Sequence, residues 1–333
     1  MGKTLAQTFV TTELREHAAV RAWSEARGVP RVPRVPRVPE SVQILKNRND
    51  SRVYRLVGVG PGGSNVIAKQ CPKANASAER FIYEKVLPRL PFVALQCYGF
   101  SEERNTRFCW FFTEDAEGVP YSPEIQEHGA LAAAWLSTLH TCGVKAAAGL
   151  RLSDRGPDHY LGCLRMARDR IRHNLANPAL NHDDRAVLRS VLHQCDLLEQ
   201  HWGQIEEWCV GIPRTFVHAD LCVSNVQVRP TRCGISLVVF DWESAGWGAL
   251  AVDLVLAGLD LAAYHSFVRR CWPRLDLEAL QEFARLGRVF RLLGFVECES
   301  TTLAGEWLHH TMKHMRCYGT ELSDAIRASG LEA

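Results

Sequence analysis

Two aspartates and an asparagine, set at the ends of short apolar runs, constrain this chain more than any other feature. Residues 215–243 read TFVHADLCVSNVQVRPTRCGISLVVFDWE. Phe216-Val217 leads to His218, a tight loop carries Asp220 and Asn225, Val226-Gln227-Val228 follows, and Leu237-Val238-Val239-Phe240 delivers Asp241. β-Branched and aromatic runs bounded by Arg-Pro and Cys-Gly breakers read as short buried strands. Such strands set oxygen-bearing side chains at neighbouring ends. Mg²⁺ prefers oxygen, keeps part of its water shell, and takes few protein ligands beside substrate phosphates. Asn225 and Asp241 are therefore the candidate metal ligands, and Asp220 is the candidate base for an attacking hydroxyl. The spacing His-x-Asp-x-x-x-x-Asn is neither a Walker loop nor a zinc pattern. It has the Asp–Asn separation of the protein-kinase catalytic loop. Asp and Asn are also common turn formers between strands, but a downstream strand ending in Asp241 weakens that simpler reading.

The rest of the composition narrows the setting. A chain of 333 residues holds one large domain or two modest ones. A formal net charge of +2 gives no basic nucleic-acid surface and no acidic tail. The 12 cysteines are spread singly, without Cys-x-x-Cys, as expected of reduced and mostly buried thiols. The opening MGKTLAQTFV lacks the apolar stretch of a signal peptide and has Ala6 where myristoylation wants Ser or Thr. No run approaches a membrane span. The expected location is cytoplasmic, with no nucleic acid, membrane or obligate protein partner.

Along the chain, residues 12–27 predict a short polar helix ended by Gly28. VPRVPRVPRVP then places Pro30, Pro33, Pro36 and Pro39 at every third residue, a pattern for a stiff polyproline linker. From Ser41 the pattern turns strand-like, with a hairpin of Arg52–Val57 and Val66–Lys69. Gly58, Gly60 and Gly63 spell G-x-G-x-x-G between its strands. A dinucleotide fingerprint must lie between a strand and a helix, so this one is a turn. Lys69, ending the second strand, is the candidate contact for the α- and β-phosphates. Asn47–Ser51, one strand earlier, is then the candidate loop over the phosphates. The helix ASAERFIYEKVLPRL offers Glu79 and Glu84 to hold that lysine. Residues 130–140 form an Ala/Leu-rich helix with His140 as a packed core histidine, and a stripe from Leu188 to Cys209 predicts one long helix. The basic run Arg165, Arg168, Arg170 and Arg172 reads as a solvated helix face.

HADLCVSN followed by VVFDWESAGWG resembles the aminoglycoside phosphotransferase and choline kinase family of small-molecule kinases. That family usually has Gly where Ala219 stands, a small-for-small change not expected to disturb the loop. The resemblance implies an α+β, bilobal, protein-kinase-like fold. Residues 1–40 are the helix and linker, 41–117 the nucleotide-binding lobe, and 118–333 a mostly helical lobe with the catalytic loop and acceptor site. It implies ATP as phosphoryl donor with Mg²⁺. Asn and Ser are common in the family's phosphate loop, which favours Ser51, and Glu79 matches the family position better than Glu84. The backbone of Glu114 and Ala116, in a hinge at Thr113–Ala116, would bond adenine, while His218 and Glu243 support the site.

Only about a dozen residues separate Asp241 from Asp253 and the next helix. Protein kinases need an activation segment there to hold a polypeptide, so the acceptor should be a small molecule: an antibiotic, amino sugar, amino alcohol or related metabolite. Asp253 is expected to anchor the loop. Glu297, Glu299 and Glu306 on the C-terminal helices could meet a cationic acceptor, or be ordinary helix-surface acids. The rival function is a catalytically inactive nucleotide-binding or scaffold protein of the same fold.

Overall fold

Strand pairing begins at Val42, where apolar and polar residues begin to alternate. The computed structural model describes residues 11–26, 38–47, 51–231 and 234–331. Pro30, Pro33 and Pro36 of the repeat, and residues 48–50 of the expected phosphate loop, lie outside them. The N-terminal helix is divided into α1 (Thr11–Glu16) and α2 (Ala18–Glu25). Between them His17 is extended, at φ −61° and ψ 129°, and its side chain caps α2 by accepting the Ala19 N–H. Strands β1 (Val42–Asn47), β2 (Arg52–Leu56) and β3 (Val66–Pro72) are followed by α3 (Lys73–Lys85), β4 (Cys97–Glu102), β5 (Phe108–Glu114) and β6 (Val119–Pro120). Five of the strands make an antiparallel sheet in the order β1-β2-β3-β5-β4. Ala19, Val20 and Trp23 of α2 pack on Leu56, Ala68 and Phe112 of that sheet. The larger of these side chains, such as Val20, Leu56 and Phe112, contribute roughly 1.5–3 kcal/mol each when fully removed from water. The glycine-rich segment between β2 and β3 is a turn, with Gly62 at φ 67° and Gly63 at φ 82°, backbone angles that favour glycine.

The chain continues through α4 (Gln126–Ala146), β7 (Asp154–Arg155), α5 (Pro157–Asn174), α6 (His182–Gln200), α7 (Trp202–Val210) and β8 (Arg214–Val217). Next come β9 (Val226–Thr231) and β10 (Gly234–Val239), then β11 (Gly246–Ala249), α8 (Leu261–Val268), α9 (Leu277–Ser300) and α10 (Leu308–Ala328). Two smaller sheets are ordered β10-β9-β6 and β7-β11-β8. The long stripe from Leu188 to Cys209 is broken at His201 (φ −97°, ψ 10°) into α6 and α7. The basic run on α5 is solvated at Arg165 and Arg172, as expected, and is ion-paired as well. Arg165 and Arg168 pair with Glu199, Arg172 with Asp196, and Arg170 with Glu297.

The chain forms two compact units. One comprises the residues up to Tyr121 together with Ser224–Ser244, and the other Ser122–Val223 with Ala245 onward. The first therefore contains the expected 41–117 lobe, the N-terminal helices and the β9–β10 hairpin. No helix among the described residues is long and apolar enough to cross a membrane.

Candidate active site

In the first unit the organising group is Lys69. It occupies the middle of the sheet, opposite Val53 on β2 and Phe111 on β5, and is buried. Its Nζ donates to Glu79 Oε2 (2.9 Å), Asp241 Oδ1 (2.5 Å) and Glu243 Oε2 (2.7 Å). Glu79 comes from α3, and its other oxygen accepts the Trp242 N–H at 3.2 Å. Glu84 instead pairs with Arg80 on the exposed face of α3. Glu79, being buried, is thus the lysine's helical partner in this geometry.

One ammonium among three carboxylates leaves a formal charge of −2. Burial alone would lower the Lys69 pKa, but Glu79, Asp241 and Glu243 outweigh it and hold the amine well above its usual range. Burial raises the Glu79 carboxyl, Lys69 opposes that, and Asp241 and Glu243 add to it. The three acids' ligand oxygens lie within 4.8 Å of one another.

Hairpin register explains how residues far apart in sequence share this end of the unit. Val226 pairs with Val239, and the Asn225 carbonyl accepts the Phe240 N–H at 3.1 Å. Asn225 and Asp241 therefore flank the same end of β9–β10. Asn225 is buried, and Asp241 has φ 69°, a left-handed conformation that Asp tolerates better than most residues. Carboxylate and amide oxygens with surplus negative charge fit Mg²⁺, which favours hard donors.

Three further expected residues belong to this unit. The Ser51 hydroxyl oxygen is buried and without a hydrogen-bond partner among the described residues. Glu114 ends β5 with its N–H committed to the Gln96 carbonyl (2.8 Å) and its carboxylate to Arg229 (2.6 Å). That leaves its carbonyl as the backbone group it could offer an adenine. Ala116, just beyond, is buried, and its N–H has no partner among the described residues.

The second unit holds the loop that follows β8. Asp253 is completely buried and accepts the N–H groups of His218 (2.8 Å) and Ala219 (2.9 Å). His218, also completely buried, accepts the Asp220 N–H on Nδ1 at 3.3 Å. His140 Nε2 lies 3.3 Å from Asp253 Oδ2, and His140 Nδ1 lies 2.7 Å from the Tyr264 hydroxyl. If Nε2–H donates to the carboxylate, Nδ1 is left to accept the tyrosine proton. His140 thus packs in the core, as expected of it, but also belongs to a polar relay that ends on the loop. Tyr264 had no sequence signal, because its spacing is that of any apolar helix residue. Ala219 has φ 63°, which explains the usual glycine: the loop keeps a left-handed turn, and alanine bears a cost of roughly 1–2 kcal/mol.

A buried lysine clamped by a helix glutamate and a hairpin ending in Asn and Asp in one unit, and in the other a loop Asp tied down by a downstream carboxylate, are the parts expected of a protein-kinase-like phosphotransferase. The sequence matches the phosphotransferase enzyme family over residues 41–294, so the chain belongs to that family and is a phosphotransferase with a hydroxyl group as acceptor. Solved structures of similar fold include an ethanolamine kinase from Plasmodium vivax, with 16% identity, TM-score 0.57, and coverage of 86% of this chain and 81% of that one. A choline kinase from Cryptosporidium parvum Iowa II has 10% identity and TM-score 0.58, covering 87% and 91%. A spectinomycin phosphotransferase in complex with ADP and spectinomycin has 11% identity and TM-score 0.57, covering 98% and 100%. These identities establish the fold alone. Sequence comparison with curated proteins gives no significant match.

Proposed function

We propose that this protein transfers the γ-phosphoryl group of ATP, with Mg²⁺, to a hydroxyl of a small molecule. The observation that carries the reading is the Lys69 ammonium held by Glu79, Asp241 and Glu243 on the central strand of the sheet unit. In this reading Lys69 turns from Asp241 to the α- and β-phosphates when nucleotide enters, and Glu79 keeps it aimed. Residues 41–117 serve as the nucleotide-binding lobe and 118–333 supply the catalytic loop. Ser51 donates to a phosphate, which would satisfy its buried hydroxyl. The Glu114 carbonyl and Ala116 N–H receive the adenine edge. ADP bound to the spectinomycin phosphotransferase supports nucleotide use.

Asn225 and Asp241 would hold Mg²⁺, with Glu243 in support. The ion would neutralise charge on the β- and γ-phosphates. Asp220 takes or orients the proton of the acceptor hydroxyl, so that its oxygen is presented in line to the phosphorus. Asp253 and His218 hold the backbone on which Asp220 stands. The short segment from Asp241 to Asp253 supports a small acceptor over a polypeptide. The protein acts in the cytoplasm, without nucleic acid, membrane or an obligate protein partner.

Asp220→Ala should lower turnover roughly 10²–10⁴-fold while Mg·ATP binding survives. The test is ADP release across a metabolite and antibiotic panel, with nucleotide binding followed by thermal shift. Unchanged ATP consumption by the variant with an active acceptor would refute the assignment. Nucleotide binding by the wild type without turnover of any acceptor would favour an inactive scaffold.

A further inference from the structure

The acceptor's charge can be read from the helix packed behind the catalytic loop. On α9, a Cβ added at Gly287 would overlap the Ala251 carbonyl. The α9 backbone is therefore pressed onto the turn containing Asp253, the residue that carries the loop. One helical turn further along the same face, Arg291 donates from Nη1 to the Val255 carbonyl at 3.1 Å. Among the described residues its buried Nε has no hydrogen-bond partner, and no carboxylate forms an ion pair with it. Burial is the largest influence on its pKa and lowers it; Cys222, Asp220 and Glu321 are near enough to oppose that, and Arg288 adds to the lowering.

Two of the three acids that could have met a cation are engaged elsewhere, and the third, Glu306, is exposed. Glu297 bonds Arg170, and Glu299 holds His314 at 2.6 Å. Glu321 lies 3.7 Å from Arg288, one turn before Arg291, and acts on the charge of both without an ion pair to Arg291. An ammonium acceptor near Asp220 would meet the Arg291 guanidinium, whereas an anion would satisfy its spare N–H. A guanidinium fork matches a carboxylate or phosphate with two parallel hydrogen bonds, and leaving a buried donor unpaired is costly.

We infer that the acceptor is a hydroxyl compound bearing an anionic group, carboxylate or phosphate, and that Arg291 binds that group beside Asp220. The inference rests on the phosphotransferase reading above and gives the acceptor a chemical class.

Thermal-shift titration of the full chain tests it, with and without Mg²⁺ and a non-hydrolysable ATP analogue. Glycerate and glycerol phosphate are the anionic probes; ethanolamine, choline and kanamycin are the cationic ones. The anionic probes should raise the melting temperature of the wild type. Arg291→Gln should raise their half-saturating concentration at least tenfold, and Arg291→Lys, which keeps charge but loses the fork, should fall between. The shift produced by nucleotide alone should persist in both variants. Stabilisation by the cationic probes only, by neither set, or equally in Arg291→Gln overturns the inference. If Arg291→Gln does not fold, an unchanged response in Arg291→Lys overturns it. Loss of the nucleotide-alone shift in the wild type would count against the kinase reading and is read separately.

Discussion

Replacing Asp253 should be among the most damaging single changes available to this protein, and its size can be worked from the hydrogen bonds it ends. Its carboxylate has no solvent exposure and accepts from two backbone N–H groups, at 2.8 and 2.9 Å, with His140 at 3.3 Å. In Asp253→Ala both backbone donors become buried and unpaired at roughly 1–3 kcal/mol each. That approaches the whole stability of a small domain, about 5–15 kcal/mol, so this variant should be marginal. Asp253→Asn is the better instrument. Its amide oxygen can take one N–H while its NH₂ opposes the other, for a loss of about 2–4 kcal/mol. Urea unfolding should show a lower midpoint at unchanged slope. Because the lost bonds belong to His218 and Ala219, turnover should fall more than Mg·ATP affinity does. A stability loss below about 0.5 kcal/mol would mean that the loop finds other acceptors, and the tethering argument would fail.

Three further perturbations test other parts of the reasoning. Ala219→Gly relieves the left-handed backbone at φ 63° and, after the entropy cost of glycine, should add roughly 0.5–1 kcal/mol in the same unfolding assay. Lys69→Met strips the buried Glu79 of its partner and should cost about 3–5 kcal/mol. Lys69→Met/Glu79→Gln should recover part of that loss, and additive effects in the double-mutant cycle would deny the coupling. His159 has its pKa lowered to about 4 by burial and then by Arg155. The unfolded state therefore binds the proton first, so stability is complete above pH ~6.5 and declines as pH falls toward about 4. The loss should reach about 1–2 kcal/mol once screening of the half-buried ring is allowed for. His159→Gln should flatten that decline in a pH series of melts, and an unchanged slope would remove His159 as its source.

The candidate site residues were legible because the proposed reaction fixes their type and the hairpin fixes their spacing. Asp220, Asn225 and Asp241 stand where strand signals end, and the alternation from Arg52 to Lys69 announced the hairpin carrying the lysine. The choice between Glu79 and Glu84 was not settled by spacing, since either could point inward from α3. Tertiary packing decided it by burying one and leaving the other with Arg80. Partnerships formed across long separations left no local trace. The His140–Tyr264 bond spans 124 residues, and the α5 arginines gave no sign of their ion pairs because their acidic partners lie on other helices. Backbone conformation was likewise hidden: alanine gives no hint of a positive φ, so Ala219 read as a neutral exchange.

The first compact unit is discontinuous, closed by Ser224–Ser244 after a stretch of about a hundred residues assigned to the other. As the ribosome extends the chain, Lys69 and Glu79 emerge long before Asp241 and Glu243. Until those two acids are synthesised, the nascent sheet must hold its central ammonium against one carboxylate instead of three. Assembly of the unit is thereby coupled to translation well past its apparent boundary. A fragment cut at residue 121 would be missing a structural strand pair and a large part of its internal counter-charge, which makes excision of this half a poor route to an independent nucleotide-binding module.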